Sequence, residues 1–226
     1  MNVCILIPVY NEFKEIGRLV ESLKKKGFPV AVIDDGSTDD SGVIAKQKGA
    51  VVIRHEKNQG KGRSLQDGFD YVLKENYACV VTIDGDGQHD ISDIDQFITK
   101  ANEYPASVIT GTRMNNPKEM PFIRFLTNRV MSWIISSLCQ QTIPDTQCGF
   151  RLISCEVLRE LKLTSGDFEI ETEVLMKASK KGFKIYSVPI KTIYRGEASK
   201  INPLIDTFRF LVYIMKEIWS PKDYKR

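Results

Sequence analysis

Over roughly its first hundred residues the chain alternates short apolar runs with amphipathic stretches, and most runs end in a polar, loop-forming cluster. Val3 to Val9, Pro29 to Asp35, Ala50 to Arg54 and the run from Ala78 that stops at Asp84 read as strands. Between them, Glu12 to Lys26, Asp39 to Lys48 and Lys61 to Glu75 read as helices, with Ile16, Leu19, Val20 and Leu23 on one face of the first and Leu65, Phe69, Val72 and Leu73 inward on the third. Strand and helix in strict alternation build right-handed βαβ units. The expected fold class is therefore α/β, a Rossmann-like, mainly parallel sheet flanked by helices.

The alternation continues with a helix from Ile91 to Glu103 and a strand from Ala106 to Gly111, which runs into Thr112 and Arg113, and then loosens. Phe122 to Leu138 reads as a long apolar helix carrying Arg124 and Arg129, Pro144 to Arg151 as a loop, and Glu169 to Lys180 as a helix. Lys184 to Tyr194 reads as a strand interrupted by Pro189, and Pro203 to Trp219 as a last helix. No linker separates these parts. The expectation is one domain over residues 1–226, with a nucleotide-binding half at 1–113 and an acceptor-side half at 114–226.

Composition narrows the partners. With 226 residues, 42% hydrophobic and 27% charged, the chain can bury a sizeable core, and a net charge of +3 is too small to argue for nucleic acid. Five scattered cysteines and two histidines show no zinc spacing and suit a reducing cytoplasm. The N-terminus does not read as a signal peptide, and no stretch approaches the roughly 18 apolar residues of a spanning helix. The Phe122 to Leu138 helix and the one containing Phe208, Phe210, Tyr213 and Trp219 mix aromatic, apolar and basic residues. Such helices suit either a membrane interface or ordinary core packing.

In open α/β sheets, strand C-termini converge on the ligand crevice. Asp84 and Asp86 stand at such an end, where carboxylates are poor core material and good ligands for Mg²⁺ or Mn²⁺; the bland alternative is a solvated turn. A carboxylate of Asp34-Asp35-Gly36-Ser37 can take a nucleobase N–H or a ribose hydroxyl while neighbouring residues cap a helix. The glycines of Asn58-Gln59-Gly60-Lys61-Gly62 would let backbone approach a phosphate beside Lys61, without the spacing of a Walker loop. Glu169, Glu171 and Glu173 fit a helix N-terminus, and His89 fits a loop better than a ligand set.

Taken in order, Ile-Pro-Val-Tyr-Asn-Glu (7–12), Asp-Asp-Gly-Ser-Thr-Asp (34–39), Asn-Gln-Gly-Lys-Gly (58–62), Asp-Gly-Asp-Gly-Gln-His (84–89), Gly-Thr-Arg (111–113), Asp-Thr-Gln-Cys-Gly-Phe-Arg (145–151) and Ser-Lys-Ile-Asn-Pro (199–203) resemble a family 2 glycosyltransferase, within it the dolichyl- or polyprenyl-phosphate sugar synthase branch. The resemblance implies a GT-A fold, a UDP- or GDP-linked sugar donor, Mg²⁺ or Mn²⁺, and inversion at the anomeric carbon. By the same resemblance, Pro8, Tyr10, Glu12 and Asp35 surround the nucleoside, and Asp84, Asp86 and Gln88 hold the metal and diphosphate. Arg113 and Arg129 match acceptor-phosphate positions, Arg195, Ser199 and Lys200 a loop that closes over the donor diphosphate, and Asp145 an active-site position.

A phosphate monoester is already anionic near pH 7, its second pKa being about 6, so it needs cations rather than a general base. Arg113, Arg129, Arg151, Arg195 and Lys200 supply candidates. The expected activity is transfer of a sugar onto a polyprenyl phosphate at the cytoplasmic membrane face, peripherally or beside a separate membrane subunit. The alternatives are transfer to a glycan or glycolipid hydroxyl, for which Asp145 is the candidate base, a non-catalytic nucleotide-sugar-binding subunit, and a nucleotidyltransferase.

Overall fold

The structure, a computed structural model, describes residues 1–114, 120–191 and 214–215. The chain divides into a unit Met1–Arg195 and a unit Gly196–Arg226; in the second, Ile214 and Met215 are helical. The rest of the description concerns the first unit.

Seven strands form one sheet: β1 (Val3–Val9), β2 (Val30–Asp34), β3 (Val51–Arg54), β4 (Cys79–Thr82), β5 (Ser107–Thr112), β6 (Arg151–Ser154) and β7 (Lys184–Pro189), in the order β3-β2-β1-β4-β6-β5-β7. All neighbours run parallel except β6, which is antiparallel to both β4 and β5. The helices are α1 (Ile16–Lys25), α2 (Ser41–Gln47), α3 (Lys61–Lys74), α4 (Ile94–Glu103), α5 (Phe122–Cys139), α6 (Cys155–Glu160) and α7 (Glu169–Lys180), with a 3₁₀ turn at Ile91–Asp93. The expected α/β, mainly parallel architecture is present.

Strand β1 is buried on both faces, as its unbroken apolar run requires. Ile5, Ile7 and Val9 join Ile16, Val20 and Leu23 of α1 and Ile94 and Phe97 of α4 in one core cluster. Leu6 points the other way, onto α3. There Gly68 admits it: a Cβ on that glycine would lie 2.4 Å from Leu6 Cδ1, so the helix sits closer to the sheet than any side chain would allow.

Several boundaries differ from the sequence expectation for local reasons. Helix α1 begins at Ile16, since the Glu12 and Phe13 amides are drawn off to Ser41 Oγ (2.8 Å) and Asp39 Oδ2 (3.3 Å). Strand β6 and helix α6 were not anticipated: β6 is a four-residue run that begins with an arginine, and it completes the sheet from the middle. Strand β7 ends at Pro189, and the expected last helix lies outside the described residues apart from Ile214 and Met215.

Candidate active site

The C-terminal ends of β1, β2 and β4 meet as expected. The loop after β1 is stitched to the loop after β2, with Asn11 N donating to Ser37 Oγ (3.1 Å) and Thr38 N to Asn11 Oδ1 (2.9 Å). Gly85 lies against Val9, Pro8 and Glu12, where an added Cβ would meet Val9 Cγ2 at 3.1 Å. This brings Pro8, Glu12 and the Asp84-Gly85-Asp86 turn together; Tyr10, 40% exposed, stands on the outer side of the same loop.

Asp84 is paired with a partly buried cation. Lys61, the first residue of α3, places Nζ 2.6 Å from Asp84 Oδ1 and 2.7 Å from Glu171 Oε1 of α7. One ammonium thus sits between two carboxylates from different elements. Burial opposes the charge of Lys61, but Asp84 and Glu171 outweigh it and hold the ammonium well above the usual lysine range. Burial likewise opposes the Asp84 charge and is outweighed by Lys61 and His89, which leaves that carboxyl well below its ordinary value. Asp86 is pushed up, first by burial and then by the charge of Asp84.

The oxygens of Asp84 and Asp86 are hard donors of the kind a divalent cation takes, and Glu171 stands beside them. Gly149 leaves room for them: a Cβ there would lie 2.7 Å from Asp84 Oδ2 and 3.0 Å from Glu171 Oε1. Among the described residues no three His, Cys, Asp or Glu side chains converge as a metal cage, so a cation here would draw on donor oxygens or water. Gln88 contributes its backbone N–H to Asp86 Oδ1 (2.9 Å).

Sequence reasoning had set aside two residues of this cluster. His89 is 7% exposed, its Nε2 is 3.6 Å from Asp84 Oδ2, and its ring lies 5.1 Å from that of Phe150. Glu171 faces the site rather than serving only the helix terminus. Glu173 looks away from it, taking the N–H groups of Thr164 (3.0 Å) and Ser165 (2.9 Å), and so fixes the loop whose Ser165 and Gly166 carbonyls touch Gly62. The spacing Glu169, Glu171, Glu173 gave no hint that its members point to different neighbours.

Asp35 is 3% exposed and ties the Asn58–Gly60 loop down: Oδ1 accepts from Gln59 N (2.8 Å) and lies 2.7 Å from His55 Nδ1, while Oδ2 accepts from Gly60 N (2.9 Å). The other ring nitrogen of His55 is 2.9 Å from Asp67 Oδ2 on α3. Asp34 is fully buried beside Arg54 and takes the Ser37 N–H (2.9 Å).

Beside the C-terminal end of β5, Asp145 is fully buried and surrounded by donors. It receives Arg113 Nε (2.8 Å), Arg113 NH2 (2.9 Å), the Arg113 amide (3.2 Å), Asn128 Nδ2 (2.9 Å) and Gln147 N (3.2 Å). Burial works against its charge, yet Arg113 and Asn128 outweigh it and hold the carboxyl below its ordinary value. A carboxylate in that state orients an arginine and is a poor base. Arg151 requires a correction. It is 2% exposed, and its guanidinium donates to the Cys148 (2.8 Å), Thr146 (2.8 Å) and Glu171 carbonyls, which makes it a clamp inside the fold rather than a phosphate ligand.

Helix α5 is apolar on two sides: Met131, Ile135 and Cys139 are buried in the core, and a second set of large apolar side chains faces out. Asn128 and Ser132 face inward, linked to each other (2.9 Å), to Asp145 and to Thr146. Phe122, Ile123, Leu126, Val130 and Trp133 face out, at 75%, 72%, 52%, 50% and 71% exposure. Arg129 is exposed, its guanidinium 5.7 Å from the Phe125 ring centroid. No described helix is long and apolar enough to cross a membrane. Arg195, Ser199 and Lys200 lie outside the described residues.

Residues 4–162 match the family model described as glycosyl transferase family 2. An uncharacterized protein of Methanocaldococcus jannaschii is 33% identical over 225 residues, covering 96% of this chain and 93% of that one. The UDP-N-acetylglucosamine–dolichyl-phosphate N-acetylglucosaminyltransferase of Methanococcus voltae is 31% identical over 215 residues, covering 85% of this chain and 86% of that one. Among solved structures, glucosyl-3-phosphoglycerate synthase of Mycobacterium tuberculosis in complex with Mn²⁺, UDP and glucosyl-3-phosphoglycerate superposes with a TM-score of 0.72 at 16% identity, covering 97% of this chain and 79% of that one.

Proposed function

Since the chain belongs to glycosyl transferase family 2 and has the GT-A fold, we propose that this glycosyltransferase moves one sugar from a nucleotide-diphospho-sugar onto a polyprenyl phosphate, with inversion, at a membrane surface. The observation that carries this reading is the Asn128–Asp145–Arg113 network. It fastens a helix with an apolar outer face to a cation at a strand end, as an acceptor with a lipid tail and a phosphate head would require. Relatives named for dolichyl-phosphate transfer and polyprenol monophosphomannose synthesis support it.

Pro8, Tyr10, Glu12 and Asp35 would receive the nucleoside, and Lys61, Asp84, Asp86 and Gln88 the diphosphate and its Mg²⁺ or Mn²⁺. A divalent cation bound there would neutralise charge on the leaving diphosphate. Asp145 holds Arg113 in place, and Arg129 meets the acceptor phosphate from α5. An acceptor phosphate oxygen forms the bond to the anomeric carbon as the bond to the donor's β-phosphate oxygen breaks. The electron pair leaves with the nucleoside diphosphate, and the single displacement inverts the centre. No general base is needed, since the attacking oxygen is already ionised near pH 7. With its oxygens taken by buried donors, Asp145 gives the hydroxyl-acceptor alternative no base.

The test is transfer from UDP- and GDP-sugars to a short polyprenyl phosphate, with a free sugar, a glycolipid and a prenol as competing acceptors. The expected products are a polyprenyl phosphate sugar and a nucleoside diphosphate, with Asp86→Asn reducing the rate at least about 100-fold while circular dichroism stays native. Transfer to a hydroxyl, or release of pyrophosphate, would overturn the reading.

A further inference from the structure

The three residues around Asp35 carry an inference about the donor. A carboxylate offers about four acceptor places, two on each oxygen. On Oδ1 both are occupied, by Gln59 N at 2.8 Å and His55 Nδ1 at 2.7 Å, and on Oδ2 one is occupied, by Gly60 N at 2.9 Å. Loop closure explains the two backbone donors. It does not explain His55, which comes from the segment after β3, is 7% exposed, and is held from its far side by Asp67 Oδ2 at 2.9 Å. Asp67 is in turn gripped by Arg63, with Nε at 3.0 Å and NH2 at 2.6 Å. The imidazole is thus fixed at both ends, and Oδ1 of Asp35 is closed to any further donor.

We propose that His55 sets the nucleobase preference of the donor site by limiting Asp35 to a single acceptor place on Oδ2. This rests on the reading of Asp35 as the residue that meets the nucleoside. Uracil presents one ring N–H, which a single place satisfies. Guanine presents its ring N–H and an adjacent amino N–H side by side, and a carboxylate pairs with both only when both oxygens are open. A guanine here would leave one donor buried without a partner, a loss on the order of 10- to 100-fold in affinity. His55 is accordingly a positioning residue that selects uridine-linked donors.

The experiment is calorimetric binding of UDP and of GDP, each with Mn²⁺, to the full chain, to His55→Ala and to His55→Asn. Wild type should bind UDP at least about tenfold more tightly than GDP. His55→Ala opens Oδ1, and the UDP to GDP ratio should fall at least about tenfold. His55→Asn can keep an N–H near the position of Nδ1 while losing the link to Asp67, and should retain most of the preference. A merely structural role would weaken both nucleotides alike and leave the ratio unmoved in every variant, which overturns the inference while sparing the transferase reading. A wild type that binds GDP as tightly as UDP overturns it even if His55→Ala fails to fold. A wild type that binds neither nucleotide removes the donor reading itself, and this inference with it.

Discussion

Arg151 shows how far a residue's type can mislead about its task. An arginine following a Gly-Phe turn looks like an anion ligand, yet its three nitrogens donate to three main-chain carbonyls inside the fold. Replacing it with leucine should cost about 2–5 kcal/mol of folding stability, since each orphaned carbonyl is worth about 1–3 kcal/mol and some regain water. Urea unfolding measures that loss. The KM for polyprenyl phosphate in the folded fraction should stay within about threefold of wild type, and a selective rise in that KM would return Arg151 to the acceptor site. Asp145 illustrates the converse: its name suggests a base, and its five donors make it the fixed point on which Arg113 turns.

Among the elements, the strands and helices of the first hundred or so residues were legible because β1, β2 and β4 are buried on both faces and read as unbroken apolar runs. So was the convergence of Pro8, Asp35 and Asp84 on one edge, which follows from topology alone. Strand β6 was not, because four residues carry too little periodicity to register and their partners lie far away in the chain. Partner choice within the site was equally hidden: nothing in the sequence distinguishes Glu171, which meets Lys61, from Glu173, which meets Thr164. Helix α5 was recognisable as a helix, but its orientation was not, since its inward face mixes Asn128 and Ser132 with Met131, Ile135 and Cys139 while large apolar side chains remain outside. That exposed apolar face predicts lipid binding. Vesicles rich in anionic lipid should retain the protein in flotation, and Leu126→Glu with Trp133→Glu should reduce retention at least about tenfold while the thermal midpoint moves by only a few degrees, both positions being exposed. Undiminished retention would remove α5 from the membrane contact.

At the scale of the whole molecule, the buried carboxylates set the acid limit of the fold. Asp145 and Glu173 both have folded values held below their ordinary ones, against the effect of burial, the first chiefly by Arg113 and the second chiefly by Lys177 and the Ser165 amide. A depressed folded value means the unfolded chain binds the proton more readily, so this stability is present above the unfolded value, near 4, and drains away as pH falls through the folded one. Asp86, raised by burial and by Asp84, works in the opposite sense: its contribution is present at low pH and lost as pH rises through its folded value. Urea midpoints should hold from pH 7 to 5 and drop steeply below about 4. Asp145→Asn should lose about 3 kcal/mol at neutral pH by breaking the ion pair with Arg113, and its acid limb should be shallower; an unchanged limb would show that Asp145 does not carry the effect.

The antiparallel strand also has a consequence for the order of events on the ribosome. Among the described residues, strand β5 has β6 and β7 for neighbours, and β4 faces β1 on one side and β6 on the other. A nascent chain that has released everything through Thr112 therefore holds β5 with no partner and β4 with an open edge, and it waits for roughly forty more residues before Arg151–Ser154 can slide between them. During that interval the carboxylate turn after β4 exists in sequence but has no wall behind it, since Gly149 and Glu171 arrive later still. The Asp84-Gly85-Asp86 turn is thus among the first parts to be synthesised and among the last to be fully packed.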